Sequence, residues 1–249
     1  CMALAMLSIA ERPEDAGHGF GHGKAEYFSS GFEGVLILFA AIAMAIAAGE
    51  RLLNPQPLEA VGVGLAVSAI AALINLLVGR VLLLTGRRQR SITLEADAQH
   101  LLSDVWTSLG VIIGVGAVAL SGWLWLDPIL ALLVASNIVW TGWRLLRRSA
   151  NGLMDASLPP EQQAQILEVL ASYRRQGIDF HALRSREAGA RSFISLHVLV
   201  PGEWTVMRAH QLVEELESEL RRELPHASVF IHIEPLEDPA SHQDLGLDR

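Results

Sequence analysis

Apolar residues run almost unbroken through four stretches of the first 150 positions: Phe32 to Leu52, Ala60 to Leu84, Ala98 to Leu120 and Leu124 to Leu146. Each is long enough to cross a hydrocarbon core as a helix, which takes about 20 apolar residues. Beyond about residue 150 the pattern shortens. Pro160 to Tyr173 has helical spacing at Ile166, Leu167, Val169 and Leu170, introduced by the helix-start signal "SLPPEQ". "HALRSREAG" and "RSFISLHVLV" read as two strands around an Ala-Gly turn, with period-two alternation at Phe193, Ser195 and His197. Thr205 to Leu224 is a second helix, and "ASVFIHIEP" a third strand. The order helix, strand, strand, helix, strand predicts a small open α+β sheet with helices on one face. "LEDPASHQDLGLDR" reads as a disordered acidic tail.

Composition supports two compartments. The 249 residues are 51% hydrophobic and 18% charged, with the charge concentrated in the second half. The net charge of -8 gives no footprint for nucleic acid. The single cysteine, Cys1, excludes an internal disulfide and any thiolate-rich metal site. Arg87, Arg88 and Arg90 follow the second span and Arg144, Arg147 and Arg148 close the fourth, whereas "NPQPLE" and "SGWLWLDP" carry no basic residue. The basic loops are therefore expected in the cytoplasm, together with Lys24 and everything after residue 150. Trp123 and Trp125 are placed for an aromatic belt on the other face. The apolar "CMALAMLSIA" is too short for a span and reads as the cut end of a preceding one, so an N-terminally incomplete chain is expected.

Two constellations carry chemistry. In the third span His100, Asp104 and Ser108 recur every four residues and share a helix face, so His100 and Asp104 can reach one ion from adjacent turns. A carboxylate at this depth costs about 2.5–3.5 kcal/mol and should face a cation or proton partner. A buried His–Asp hydrogen bond is the structural alternative. Glu33, Glu50 and Asn75 are read as interfacial or packing residues. In the second half, His181, His197, His210 and His232 lie on converging elements, and His232 and Glu234 face the same way on one strand, a donor set suited to metal. His226 and His242 fall in a turn and in the tail. The stretch "GHGFGHGKAEY", with His18 and His22 among glycines beside the only lysine, reads by itself equally well as a solvated loop.

Taken together, "FGHGKAEY", "HLLSD", "HALRSR", "SLHVLV", "RAH" and "FIHIEP", in this order and spacing from about Glu11 to Pro235, resemble the cation diffusion facilitator family of divalent-cation and proton antiporters. The resemblance implies a six-helix membrane bundle, four spans of which are here, plus a metallochaperone-like cytoplasmic domain, working as a homodimer. It implies that His100 and Asp104 are half of a transport site whose other half, on the second helix of the family, is absent from this sequence. It implies a loop metal site at Asp15, His18 and His22, a charge pair between Lys24 and Asp155, and a dimer-interface metal cluster at His181, His197, His210, His232 and Glu234. Zinc-transporting relatives often have Asp at the last position. Zinc is the expected transported and regulatory ion, with other divalent cations compatible, and protons the counter-ion.

The domains expected are 1–31 (end of a span and cytoplasmic loop), 32–150 (transmembrane), 151–237 (cytoplasmic, metal-binding and dimerising) and 238–249 (tail). The location expected is a bacterial inner membrane with the C-terminal domain in the cytoplasm. A metallohydrolase is disfavoured because no H-E-x-x-H or similar pair occurs. A non-transporting metal-binding or regulatory homologue is the remaining alternative.

Overall fold

The computed structural model describes residues 2–54 and 62–242. It divides into two compact units, Cys1–Asn151 and Gly152–Arg249. The first contains α1 (Met2–Ala10), α2 (Ala25–Leu53), α3 (Gly62–Gln89), α4 (Ile92–Ser121) and α5 (Leu126–Leu153). All but α1 are long and apolar enough to span a membrane. The helices overrun the predicted apolar stretches, most at the start of α2 and the end of α5, each by seven residues, because polar residues such as Glu26, Ser30, Arg147 and Arg148 continue the helix beyond the apolar run. Ala60, where the second span was expected to begin, lies outside the described residues.

Small residues bring these helices together, as in lipid, where apolar burial gives no advantage between helices. A Cβ on Gly34 would lie 3.3 Å from the carbonyl of Gly142, and one on Gly142 would lie 3.2 Å from the carbonyl of Gly34, so α2 and α5 touch backbone to backbone. Gly79 likewise admits Ala98 and Leu101, joining α3 to α4. Outward faces are apolar, with Phe39, Ile46, Leu77, Ile113 and Leu133 exposed as lipid contacts require. The start of α4 is anchored by its cap. Ser91 accepts from Leu94 N and donates to Glu26 Oε2 at 2.5 Å, while Thr93 N donates to the same oxygen at 3.3 Å. The carboxylate of Glu26, only 5% exposed, thus sits at the positive end of the α4 dipole. At the other end Gly122 takes the left-handed conformation (φ 72°) that closes α4 and turns the chain toward α5.

The second unit contains α6 (Pro160–Arg174), β1 (Asp179–Ala188), β2 (Arg191–Val200), α7 (Val206–Glu223) and β3 (Ala227–Pro235), in the predicted order. β1 pairs antiparallel with β2, and β2 parallel with β3. The parallel pair follows from the intervening α7, which carries the chain back across the sheet. Ile194, Leu196, Val198 and Val200 point to one face, where they pack against Ile166 and Leu170 of α6 and Leu216 and Leu220 of α7. Phe193, Ser195 and His197 point to the other. The tail is ordered further than its composition predicts: buried Ser241 donates to the carbonyl of Pro235 at 2.8 Å, and Ala240 N bonds Asp238 Oδ1.

Candidate metal centres

The helix-free face of the sheet assembles the first centre. His181 opposes His197 in the β1–β2 register, and His197 opposes His232 in the β2–β3 register, so three imidazoles form a row across all three strands. Glu234 lies two residues along β3 on the same face and reaches each of them. Its Oε2 is 2.7 Å from His181 Nε2, and its Oε1 is 3.3 Å from His197 Nδ1 and 3.6 Å from His232 Nε2. Candidate ligand atoms of His181, His197 and Glu234 all fall within 4.8 Å of one another. The β1 register breaks between His181 and Arg184, and Ala182 takes a left-handed φ of 51° there, a bulge that sets how His181 is presented. His181 is buried, and among the described residues its Nδ1 meets no hydrogen-bond partner. Such an orphaned imidazole nitrogen is what a metal ligand leaves. Nitrogen and carboxylate donors at this separation suit a tetrahedral zinc ion after small adjustments.

Two residues of the predicted cluster stand differently. His232 flanks the centre with its side chain 67% exposed, its ring 5.0 Å from that of His197. His210 does not join it, for a topological reason. It lies on α7, which covers the opposite face of the sheet, and there it faces Glu214 at 3.9 Å.

The second centre is the loop before α2. Asp15 Oδ1 accepts from Gly17 N at 2.8 Å and His18 N at 2.7 Å, a local turn that orders the glycine-rich stretch. The backbone N–H of His18 is the main influence holding the Asp15 carboxyl below its usual range, so it stays an anionic donor. Asp15, His18 and His22 offer ligand atoms within 4.8 Å, with the His18 and His22 rings 4.3 Å apart. Nδ1 of His22 is buried with no hydrogen-bond partner among the described residues.

The third arrangement lies along α4. His100 is half-buried and Asp104 exposed in this chain. No other His, Cys, Asp or Glu among the described residues closes a three-ligand group with them. The face carries an acid the sequence reading did not name, Asp97, half-buried one turn before His100, while Glu33 on α2, expected as an interfacial or packing residue, lies within electrostatic range of both. The signal for Asp97 was present in the i, i+3, i+7 spacing of Asp97, His100 and Asp104, which continues the helix face by a turn. Asp155 bonds Arg186 at 3.0 Å within its own unit.

Comparison with known proteins matches the two units to two family descriptions. "Cation efflux transmembrane domain" covers residues 1–154 and "Cation efflux protein, cytoplasmic domain" covers residues 158–236. An uncharacterized transporter of Synechocystis, sll1263, is 48% identical over 97% of this chain and 78% of its own length. The cation-efflux pump FieF of Serratia proteamaculans is 30% identical over 93% of this chain and 77% of its own. A solved chain of the transporter CzrB in its Zn form is 36% identical over 32% of this chain and 90% of that chain, with a TM-score of 0.28.

Proposed function

The chain belongs to the cation diffusion facilitator, or cation efflux, family of integral membrane transporters, and from that membership and its ligand geometry we propose that it exports zinc from the cytoplasm in exchange for protons. The observation that carries the reading is the His100–Asp104 pair on one face of an apolar α4. A carboxylate in that position is costly without a cation, and an imidazole nitrogen can hold either the ion or a proton. Zinc suits a site of mixed imidazole and carboxylate donors. The proton competes for the same donor atoms, so its entry and the ion's departure are linked.

In the same reading the protein acts as a homodimer in a bacterial inner membrane. The sheet face bearing His181, His197, His232 and Glu234 is left uncovered by helices and exposes Phe230, so a second copy can meet it there, with zinc as the regulatory ion. Lys24 and Asp155, from different subunits, are the proposed charge pair at the cytoplasmic edge, and Asp15, His18 and His22 a loop site. The test is zinc uptake into everted vesicles containing the full-length protein. Asp104→Ala and His100→Ala are expected to bring uptake to the level of vesicles lacking the protein while expression and detergent stability stay normal. Unchanged flux in Asp104→Ala overturns the proposal.

A further inference from the structure

The face of α4 that carries His100 and Asp104 continues toward the non-cytoplasmic end into a cavity of about 200 Å³. Thr107 and Val111 line it, three and seven residues beyond Asp104, so it begins on the same helix face and extends about 10 Å past the carboxylate at about 1.5 Å per residue. Met44 and Ala48 of α2 form another wall. The remaining polar lining is an ion pair, Arg51 Nη1 to Asp127 Oδ2 at 3.2 Å, joining the last turn of α2 to the first turn of α5. The two partners are unlike. The side chain of Arg51 is 65% exposed, that of Asp127 only 12%. The aspartate is held in place: a Cβ on Gly114 would lie 2.8 Å from its Oδ1, so the carboxylate rests flush against the α4 backbone.

We propose that Asp127 is an exit station for the divalent cation and that Arg51 closes the cavity by occupying that station as a tethered cation. A sheltered carboxylate lining a cavity requires a positive partner. A guanidinium on a long, mostly exposed arm meets that need when no ion is present and can swing into solvent when one arrives. The ion leaving Asp104 then passes from one carboxylate to the next and is released as Arg51 returns. This rests on the reading of His100 and Asp104 as the transport site.

The experiment labels Thr107→Cys in the full-length protein, in a background with Cys1 and any other native cysteine replaced, using a membrane-impermeant maleimide at the non-cytoplasmic face. With Arg51 intact, labelling is expected to be slow. Arg51→Ala should speed it about tenfold, the change that about 1.4 kcal/mol of lost closure energy gives. Zinc added on that face should slow it again. Arg51→Ala with Asp127→Asn should label fast whether or not zinc is present. The swap Arg51→Asp with Asp127→Arg keeps the pair and should restore slow labelling, which separates closure from damage to the fold. Equal rates with and without Arg51, zinc protection that survives Asp127→Asn, or a swapped protein that labels as fast as Arg51→Ala would each overturn the proposal. Thiol labelling does not depend on zinc flux, so failure here is distinct from failure of the transport site.

Discussion

Ala182 holds a left-handed backbone that costs a residue with a Cβ about 1–2 kcal/mol, and it does so next to the most buried histidine of the sheet centre. Strain kept there indicates that the bulge positions His181, a proposed metal ligand. Ala182→Gly should preserve both fold and zinc response in the isolated second unit, whereas Ala182→Val, β-branched at positive φ, should lower its melting temperature and weaken the zinc-induced rise. Residue positions also rank the proposed ligands. Metal bound to the folded state stabilises it by about 2.7 kcal/mol at a hundredfold excess over the dissociation constant. His181→Ala and Glu234→Gln should remove most of that stabilisation. His232→Ala, at the rim, should remove less, and His242→Ala none, with the zinc-dependent shift in melting temperature of each variant as the measurement. Equal shifts in wild type and His181→Ala would make the row an ordinary polar face.

At the scale of elements, α6 is fixed to the core through Tyr173, whose ring meets Phe180 edge-on. Burial, with smaller contributions from Glu219 and Glu215, pushes its hydroxyl up to about 12 from the ordinary 10.0. The unfolded chain therefore loses this proton first as pH rises. The folded domain should lose stability between about pH 10 and 12, and Tyr173→Phe should flatten that decline in denaturant titrations. In the membrane unit, the α2–α5 contact leaves no room at Gly142, where a Cβ would meet Leu38, Ile37 and the Gly34 carbonyl at 3.0–3.2 Å. Gly142→Val should destabilise the purified transporter by about 1–3 kcal/mol, the usual cost of overpacking, read as a lower melting temperature in detergent.

For the whole molecule, the placement of His210 on the helical side of the sheet and of the imidazole row on the other means that one chain cannot bring all four histidines to one ion. From α7, His210 could join such a cluster only in a neighbouring copy, as the proposed homodimer would allow. Zinc should therefore tighten self-association of the isolated second unit in sedimentation experiments, and His210→Ala should weaken that response more than it weakens the zinc-induced melting shift. The domain is suited to the test because its core, from Leu158 to Val229, lies wholly within the second unit.

Local pattern alone determined most of the elements here. Apolar runs longer than a bilayer core leave helices as the only way to satisfy the backbone in lipid, and the period-two alternation around His197 specified which residues share the open face of the sheet. β2 and β3 begin and end where that alternation does, at Arg191 to Val200 and Ala227 to Pro235. Spacing alone left His18 and His22 reading equally well as a solvated loop, and only the family resemblance grouped them with Asp15 as a site. What pattern could not determine depends on contacts between distant segments. Pairing β1 with β2 and β2 with β3 decides that Glu234 touches His181, 53 positions away, and that His210 touches neither. Helix packing decides that Glu26 is buried under the α4 cap, and that Arg51 and Asp127, 76 positions apart, line one cavity. Secondary structure follows from neighbours along the chain, whereas a ligand set or an ion pair follows from which faces meet, and only the packed tertiary structure settles that.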